Sequence, residues 1–346
     1  MVYLDNAATT VCKFPASTYD DIWGNANTPY KFGLNARQAA DECRERVKKC
    51  LGVKGGKVIF CSNASEAAKI LCDRLQAYGI VTVCCSYEHD SVYDLVDIDG
   101  YQFVHYSDFT AIFQQWVNPV TGLIFDIPGI RKSIGNDCFL CMDATAGIGK
   151  RILTQSIISS VDAIWFSGHK FNGPKTGGIL WISDRLSKAL YLSDDSRNEY
   201  GLKHGTLDVP SFIATTCALE YTTNNAIENI WHYAGLNDYL SNRVGNRVVG
   251  FKQLEQYAND QLNATVLIDT GCNADVLVQY LSSKSIYVGL AHSACSADAD
   301  YRVTQAFGIS NEVAERCIRV SFSEDNTFKD IDALVDGIKE FKEKFV

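Results

Sequence analysis

The run Ser167-Gly168-His169-Lys170-Phe171-Asn172-Gly173-Pro174-Lys175-Thr176-Gly177-Gly178 concentrates candidate chemistry in this chain. A β-rich stretch ends at Phe166, and a Gly-rich turn leads into another at Ile179. In a parallel α/β sheet, ligands sit beyond the carboxyl ends of the strands, which points Lys170 at a pocket. A deprotonated lysine amine forms a Schiff base with an aldehyde, and desolvation or nearby cations favour that form. Ser167 and His169 beside it are suited to binding a phosphate. Taken alone, a solvated lysine in a turn is the commoner reading. The run is not a P-loop, because it lacks the G-x-x-x-x-G-K-[ST] pattern.

Two further positions strengthen the chemical reading. Asp143 directly follows the apolar run Cys138 to Met142, at a strand end and 27 residues before Lys170 (170 − 143). A carboxylate there suits a protonated pyridine nitrogen, which makes such a ring an electron sink; a turn or cap is the ordinary alternative. Asn63-Ala64-Ser65-Glu66 follows a strand and opens a helix, where amides and a hydroxyl make an anion site. An ordinary N-cap uses the same residues.

The elements that must position these groups alternate. Strands are expected at Val58–Phe60, Val81–Val83, Phe103–His105, Phe139–Met142, Ala163–Phe166 and Gly178–Ile182. Helices are expected at Ser65–Leu75 and from His89 toward Leu95. Such alternation implies a mostly parallel sheet covered on both faces. Beyond Pro210 it fades: a helix over Ser211–Tyr221, a polar stretch Thr222–Glu228, a long helical segment toward Asn246, and strands near Thr265–Ile268 and Ser285–Val288. An amphipathic helix closes the chain over Phe328–Phe345. The expected division is a large α/β domain over residues 14–235 and a small α+β domain from 1–13 and 236–346.

Composition narrows the partners. The 346 residues carry a net charge of −9, which argues against a general nucleic-acid or anionic-membrane binder. No apolar run reaches membrane-spanning length and no signal peptide is visible, so a cytoplasmic location is the expectation. The 13 cysteines are then expected to be mostly thiols. Cys138-Phe139-Leu140-Cys141 has zinc-like spacing, but residues three apart on a strand face opposite ways, so no metal is expected there. Cys84-Cys85 is read the same way, as buried thiols.

Together these motifs resemble the fold-type I, class V aminotransferase superfamily, and within it the cysteine desulfurases of the NifS/IscS type. The resemblance runs from Tyr3-Leu4-Asp5-Asn6-Ala7-Ala8-Thr9-Thr10 to Ile318-Arg319-Val320-Ser321, almost the whole chain. It implies pyridoxal 5'-phosphate (PLP) as cofactor. Lys170 matches the lysine that carries it and shuttles the substrate proton, and Asp143 matches the pyridinium partner. His89 matches the histidine stacked on the ring; Ala64, Ser65, Ser167 and His169 match phosphate ligands. Asn118 matches an asparagine beside cofactor and substrate carboxylate, and Arg319 the arginine that binds that carboxylate. Thr206 matches a threonine that reaches the neighbouring subunit's phosphate, which implies a homodimer with shared sites.

Cys295, in His292-Ser293-Ala294-Cys295-Ser296, matches the cysteine that takes sulfur from L-cysteine as a persulfide. Its small and polar neighbours suit an exposed, mobile loop. The implied reaction makes alanine and hands the sulfur to an acceptor protein, of the tRNA-thiolation or iron–sulfur assembly type. A selenocysteine lyase, a C–S lyase or an aminotransferase of the same superfamily is the alternative. The sequence also departs from the pattern. Ala146 stands where a glutamine usually contacts the ring oxygen, Tyr30 replaces a histidine, Lys203 an arginine and Ser323 a glycine. The segment from Cys295 to Gly308 is somewhat short, and the chain stops at Val346 without a scaffold-docking tail, which favours a dedicated acceptor.

Overall fold

The computed structural model describes residues 1–96, 110–193, 197–245, 248–249, 260–292 and 300–345. They fall into two compact units: Val11–Trp116 with Asp126–Asn225, and Met1–Thr10 with Val117–Phe125 and Ala226–Val346. These bounds differ from the expected 13/14 and 235/236, and Val117–Phe125 groups with the smaller unit although no boundary is expected there.

The strands in chain order are β1 (Val2–Tyr3), β2 (Lys57–Cys61), β3 (Val81–Cys84), β4 (Thr110–Gln115), β5 (Leu123–Ile124), β6 (Phe139–Asp143) and β7 (Ala163–Ser167). Then come β8 (Gly178–Ile182), β9 (Val248–Val249), β10 (Asp260–Gln261), β11 (Thr265–Asp269), β12 (Ile286–Tyr287), β13 (Gly289–Leu290) and β14 (Cys317–Ser321). The longer helices are α1 (Lys31–Leu51), α2 (Ala64–Ala77), α3 (Val209–Asn224), α4 (Ala226–Val244), α5 (Ala274–Ser283) and α6 (Phe328–Phe345).

The large unit is built on a six-stranded sheet in the order β2-β8-β7-β6-β4-β3. The pairs β3–β4, β4–β6 and β6–β7 are parallel. β8 runs antiparallel to both β7 and β2. The reversal follows from chain length: Gly168–Gly177 is too short for a crossover helix, so β8 must return alongside β7. Every residue of β6, β7 and β8 is buried, which explains their unbroken apolar runs. β2 is an edge strand, and a buried carboxylate protects it. Glu199 Oε2 accepts from Phe60 N at 2.8 Å, and Oε1 pairs with Arg44 Nη2.

Several expectations change in detail. The strand expected at Phe103–His105 lies outside the described residues; β4 at Thr110–Gln115, fully buried, had no expectation. The helix expected from His89 is a single turn, Asp90–Tyr93, with His89 as its N-cap rather than its first residue. The polar stretch Thr222–Glu228 is helical apart from Asn225. Thr223 Oγ1 donates to the Leu219 carbonyl at 2.7 Å, so its hydroxyl is satisfied along the helix rather than by solvent. Cys138 and Cys141 are both buried, and the described cysteines are all free thiols.

The small unit has an antiparallel sheet, β13-β14-β11-β9. The N-terminal strand β1 pairs in parallel with β12, and Asp5 bridges Ser321 of β14. β5, in the excursion 117–125, pairs with β10. α6 buries Ile331, Leu334, Val335, Ile338 and Phe341, one apolar face of the amphipathic helix expected there.

Candidate active site

In the large unit the sheet gathers the candidate residues at one end. β2 runs in the same direction as β7, since each is antiparallel to β8. Hence α2, which follows β2, starts at the end where β6 finishes at Asp143 and β7 at Ser167. The register is tight there: Cys61 faces Gly178, and Gly178 faces Ser167.

Asn63 caps α2. Its side chain accepts from Glu66 N at 2.9 Å, and Glu66 Oε2 accepts from Ser62 N. Helix geometry leaves the Ala64 and Ser65 amides without intrahelical acceptors, aimed out of the helix start. Lys203 Nζ meets Glu66 Oε2 at 3.0 Å and ties the 203–206 loop to this turn. Thr206, farther along that loop, is exposed.

Lys170 closes a single 3-10 turn, Gly168–Lys170, and is buried. Gly173 N donates to Gly168 O at 2.9 Å, and Asn172 takes a left-handed φ of 68°, a conformation asparagine tolerates. Ser167 Oγ is buried without a hydrogen-bond partner among the described residues, and so is Thr145 Oγ1. Asp143 is buried; its Oδ1 accepts from Thr145 N at 2.8 Å, which fixes the carboxylate at the strand end. His89 Nδ1 accepts from Ser91 N at 3.1 Å, so the neutral ring carries its hydrogen on Nε2. The loop bearing it is stapled to β4: Glu88 Oε1 accepts from Gln115 N at 2.7 Å, and Gln115 Nε2 donates to Tyr87 O at 2.9 Å.

His169 is where the electrostatics converge. Burial, then the charges of Lys170, Lys175 and Lys150 and the nearby His89, pull it down from the usual 6.5 to about 4. The imidazole is therefore neutral at pH 7. Lys150 had no role in the sequence reading; a lysine that is only 7% exposed gave no local signal. A stability prediction follows with a definite sign. Between pH 6.5 and 4 the unfolded chain binds a proton at this position that the folded chain does not, so the histidine costs stability as pH falls. Urea unfolding midpoints should drop over that window, and His169→Gln should flatten the drop. Identical pH courses for the two proteins would contradict it.

In the small unit, Arg319 sits mid-strand on β14, opposite Gly289 and Leu267, and is 1% exposed. Its Nη1 donates to Pro119 O at 3.4 Å, so the turn bearing Asn118 lies beside it. Asn118 Oδ1 accepts from Val120 N, Thr121 N and Thr121 Oγ1 at 2.8–3.0 Å; that oxygen shapes its own turn. Cys295 lies outside the described residues. The flanking residues are joined, Asp300 N donating to His292 O at 2.7 Å. Burial pushes up the thiols of Cys61, Cys138, Cys141 and Cys317, which makes them poor nucleophiles.

A mixed, mostly parallel sheet with a buried lysine on the β7–β8 turn and a carboxylate closing β6 defines a fold-type I enzyme. The chain belongs to the class V aminotransferase family: the family described as "Aminotransferase class-V" matches residues 2–96 and 97–334. It is similar to cysteine desulfurase IscS of Mannheimia succiniciproducens, 27% identical over 98% of this chain and 92% of that protein. IscS of Buchnera aphidicola is also 27% identical, over 97% and 91%. Among solved structures, a NifS-like protein superposes with a TM-score of 0.85 at 23% identity, covering 99% of this chain and all of that one. The apo cysteine desulfurase of Thermococcus onnurineus gives 0.76 at 17%, covering 99% and 95%. At those identities the structures speak to the fold.

Members of this family are PLP-dependent. The residues fit that group. Ser167 Oγ and the Ala64 and Ser65 amides could donate to a phosphate, the Asp143 carboxyl group could face a ring nitrogen, and Lys170 is buried on the turn that follows Ser167. Among the described residues no helix is long and apolar enough to cross a membrane.

Proposed function

We propose that this chain is a PLP-dependent cysteine desulfurase. It converts L-cysteine to L-alanine and takes the sulfur as a persulfide on Cys295, for delivery to an acceptor protein. The observation that carries this reading is the convergence of Lys170, Asp143, Ser167, His169 and the start of α2 at one end of the sheet.

When bound, the cofactor supplies an electron sink that stabilises negative charge at the substrate Cα. Ala64, Ser65, Ser167 and His169 would hold its phosphate, Asp143 its ring nitrogen and His89 its ring face. Lys170, buried at the strand end, takes the Cα proton through its free amine. Arg319, with Asn118 beside it, binds the substrate carboxylate. The Cys295 thiolate attacks the substrate sulfur: an S–S bond forms, the Cβ–S bond breaks, and its electron pair stays with Cβ. A proton at Cβ then completes the methyl group of alanine. The buried thiols do not compete, since burial keeps them protonated.

The exposed Thr206 supports a homodimer in which this residue completes the partner's phosphate site. The acceptor is of the tRNA-thiolation or iron–sulfur assembly type, and a reducing cytoplasm suits a chain that works through a thiolate. The test is to incubate the purified protein with L-cysteine, assay alanine, and read Cys295 by intact mass. Alanine with a 32 Da gain that is lost in Cys295→Ala is the expected result. No alanine would overturn the proposal; pyruvate, ammonia and free sulfide in its place, from both the wild type and Cys295→Ala, would favour a C–S lyase.

A further inference from the structure

Arg319 is buried with a single carboxylate partner among the described residues. Asp5 Oδ1 meets its Nη2 at 2.8 Å, although the two residues are 314 apart in sequence. The backbone of Asp5 is itself pinned to β14. It forms a β-bridge with Ser321, Ser321 N donates to Leu4 O at 2.7 Å, and Ala7 N donates to Ser321 Oγ at 2.7 Å. Gly289 lies against the same pair. A Cβ there would come within 2.7 Å of Asp5 Oδ1, 2.9 Å of Nη2 and 3.0 Å of Nε. Nη1 has only the long contact to Pro119, and Nε has no partner among the described residues.

Among the described residues these contacts leave a buried guanidinium with one corner fixed and other donors unspent. A buried cation without a counter-charge is strongly disfavoured, so the pair holds Arg319 in place before any ligand arrives. Donors held in position lose less entropy on binding. We propose that Asp5 is a positioning residue for substrate-carboxylate recognition. Held through Nη2 by Asp5 and packed on the bare backbone of Gly289, Arg319 keeps its remaining N–H groups for the incoming carboxylate. This rests on the role proposed above for Arg319.

The readout is discrimination between a carboxylate and its amide, which a purely structural role would not move. L-Alanine and L-alaninamide are compared as inhibitors of the holoenzyme, together with KM and kcat for L-cysteine. Asp5→Ala should raise KM about tenfold, with a smaller change in kcat, and should collapse the preference for alanine over alaninamide. Asp5→Asn keeps the oxygen acceptor and should retain most of that preference. Gly289→Ala, which displaces the pair from the other side, should lose it as Asp5→Ala does, and serves if Asp5→Ala does not fold. A lower KM in both Asp5 variants would mean that Asp5 competes with substrate, overturning the proposal. So would unchanged discrimination in Asp5→Ala and Gly289→Ala while Arg319→Ala abolishes it. If Arg319→Ala changes neither KM nor discrimination, the role of Arg319 fails, and this inference with it.

Discussion

Replacing Lys170 by alanine is expected to cut alanine formation from L-cysteine by about 10³-fold or more, the scale of removing a positioned general base. The substitution should also abolish covalent retention of the cofactor, read as added mass after borohydride reduction. The position is hard to replace from nearby. Lys170 ends the 3-10 turn that follows a fully buried strand directly, so its amine cannot be traded for a neighbour's by a loop shift. Lys175 lies on the same connection but is exposed, and Lys150 belongs to a different loop. The truncation should leave the fold intact, because the turn is held by backbone bonds such as Phe171 N to Gly168 O at 3.0 Å. A variant that keeps a tenth of wild-type activity would remove Lys170 from the chemistry.

A second large effect is expected at a residue that touches no substrate. Gly178 opens β8, and a Cβ there would lie 2.5 Å from the backbone C and O of Asn63 and 2.7 Å from its Cα. Those atoms are main chain, so no rotamer change relieves the clash. Either β8 or the start of α2 must move. Overpacking of this kind costs about 3 kcal/mol. Moving Asn63 also displaces the Ala64 and Ser65 amides proposed to hold the phosphate. Gly178→Ala should therefore melt several degrees lower and bind PLP about tenfold more weakly, measured by thermal unfolding and by equilibrium dialysis. Gly235, in α4, is the control: nothing lies within 4 Å of its added Cβ, so Gly235→Ala should be neutral or stabilising. If Gly178→Ala behaves like Gly235→Ala, the steric account of this corner is wrong.

The motifs legible in the sequence are those whose signals are local. The strands ending at Asp143 and Ser167 announce themselves as apolar runs, because strands buried on both faces are apolar throughout. The cap at Asn63 is readable for the same reason: its hydrogen bond reaches only three residues on. The terminal helix shows its buried stripe at helical spacing. With the resemblance, these were enough for the fold type and for the set of residues proposed to hold a cofactor.

Other features depend on partners distant in the chain. The direction of β8 depends on what a ten-residue connection permits, and β4 gave no expectation at all. Val117–Phe125 groups with the small unit because β5 pairs with β10, some 136 residues later (260 − 124). The resemblance sets Asn118 beside the cofactor and substrate carboxylate, and only the structure shows that its oxygen also accepts from its own turn. Lys150 enters the electrostatics of His169 only through its place in the packed chain, and Asp5 matters only through its ion pair with Arg319. By itself the sequence determined which chemical groups are present and which local elements carry them, since capping and periodicity act over a few residues. The tertiary structure decided which groups are desolvated, which are already paired and which keep donors unspent, because burial and long-range register are properties of the packed chain.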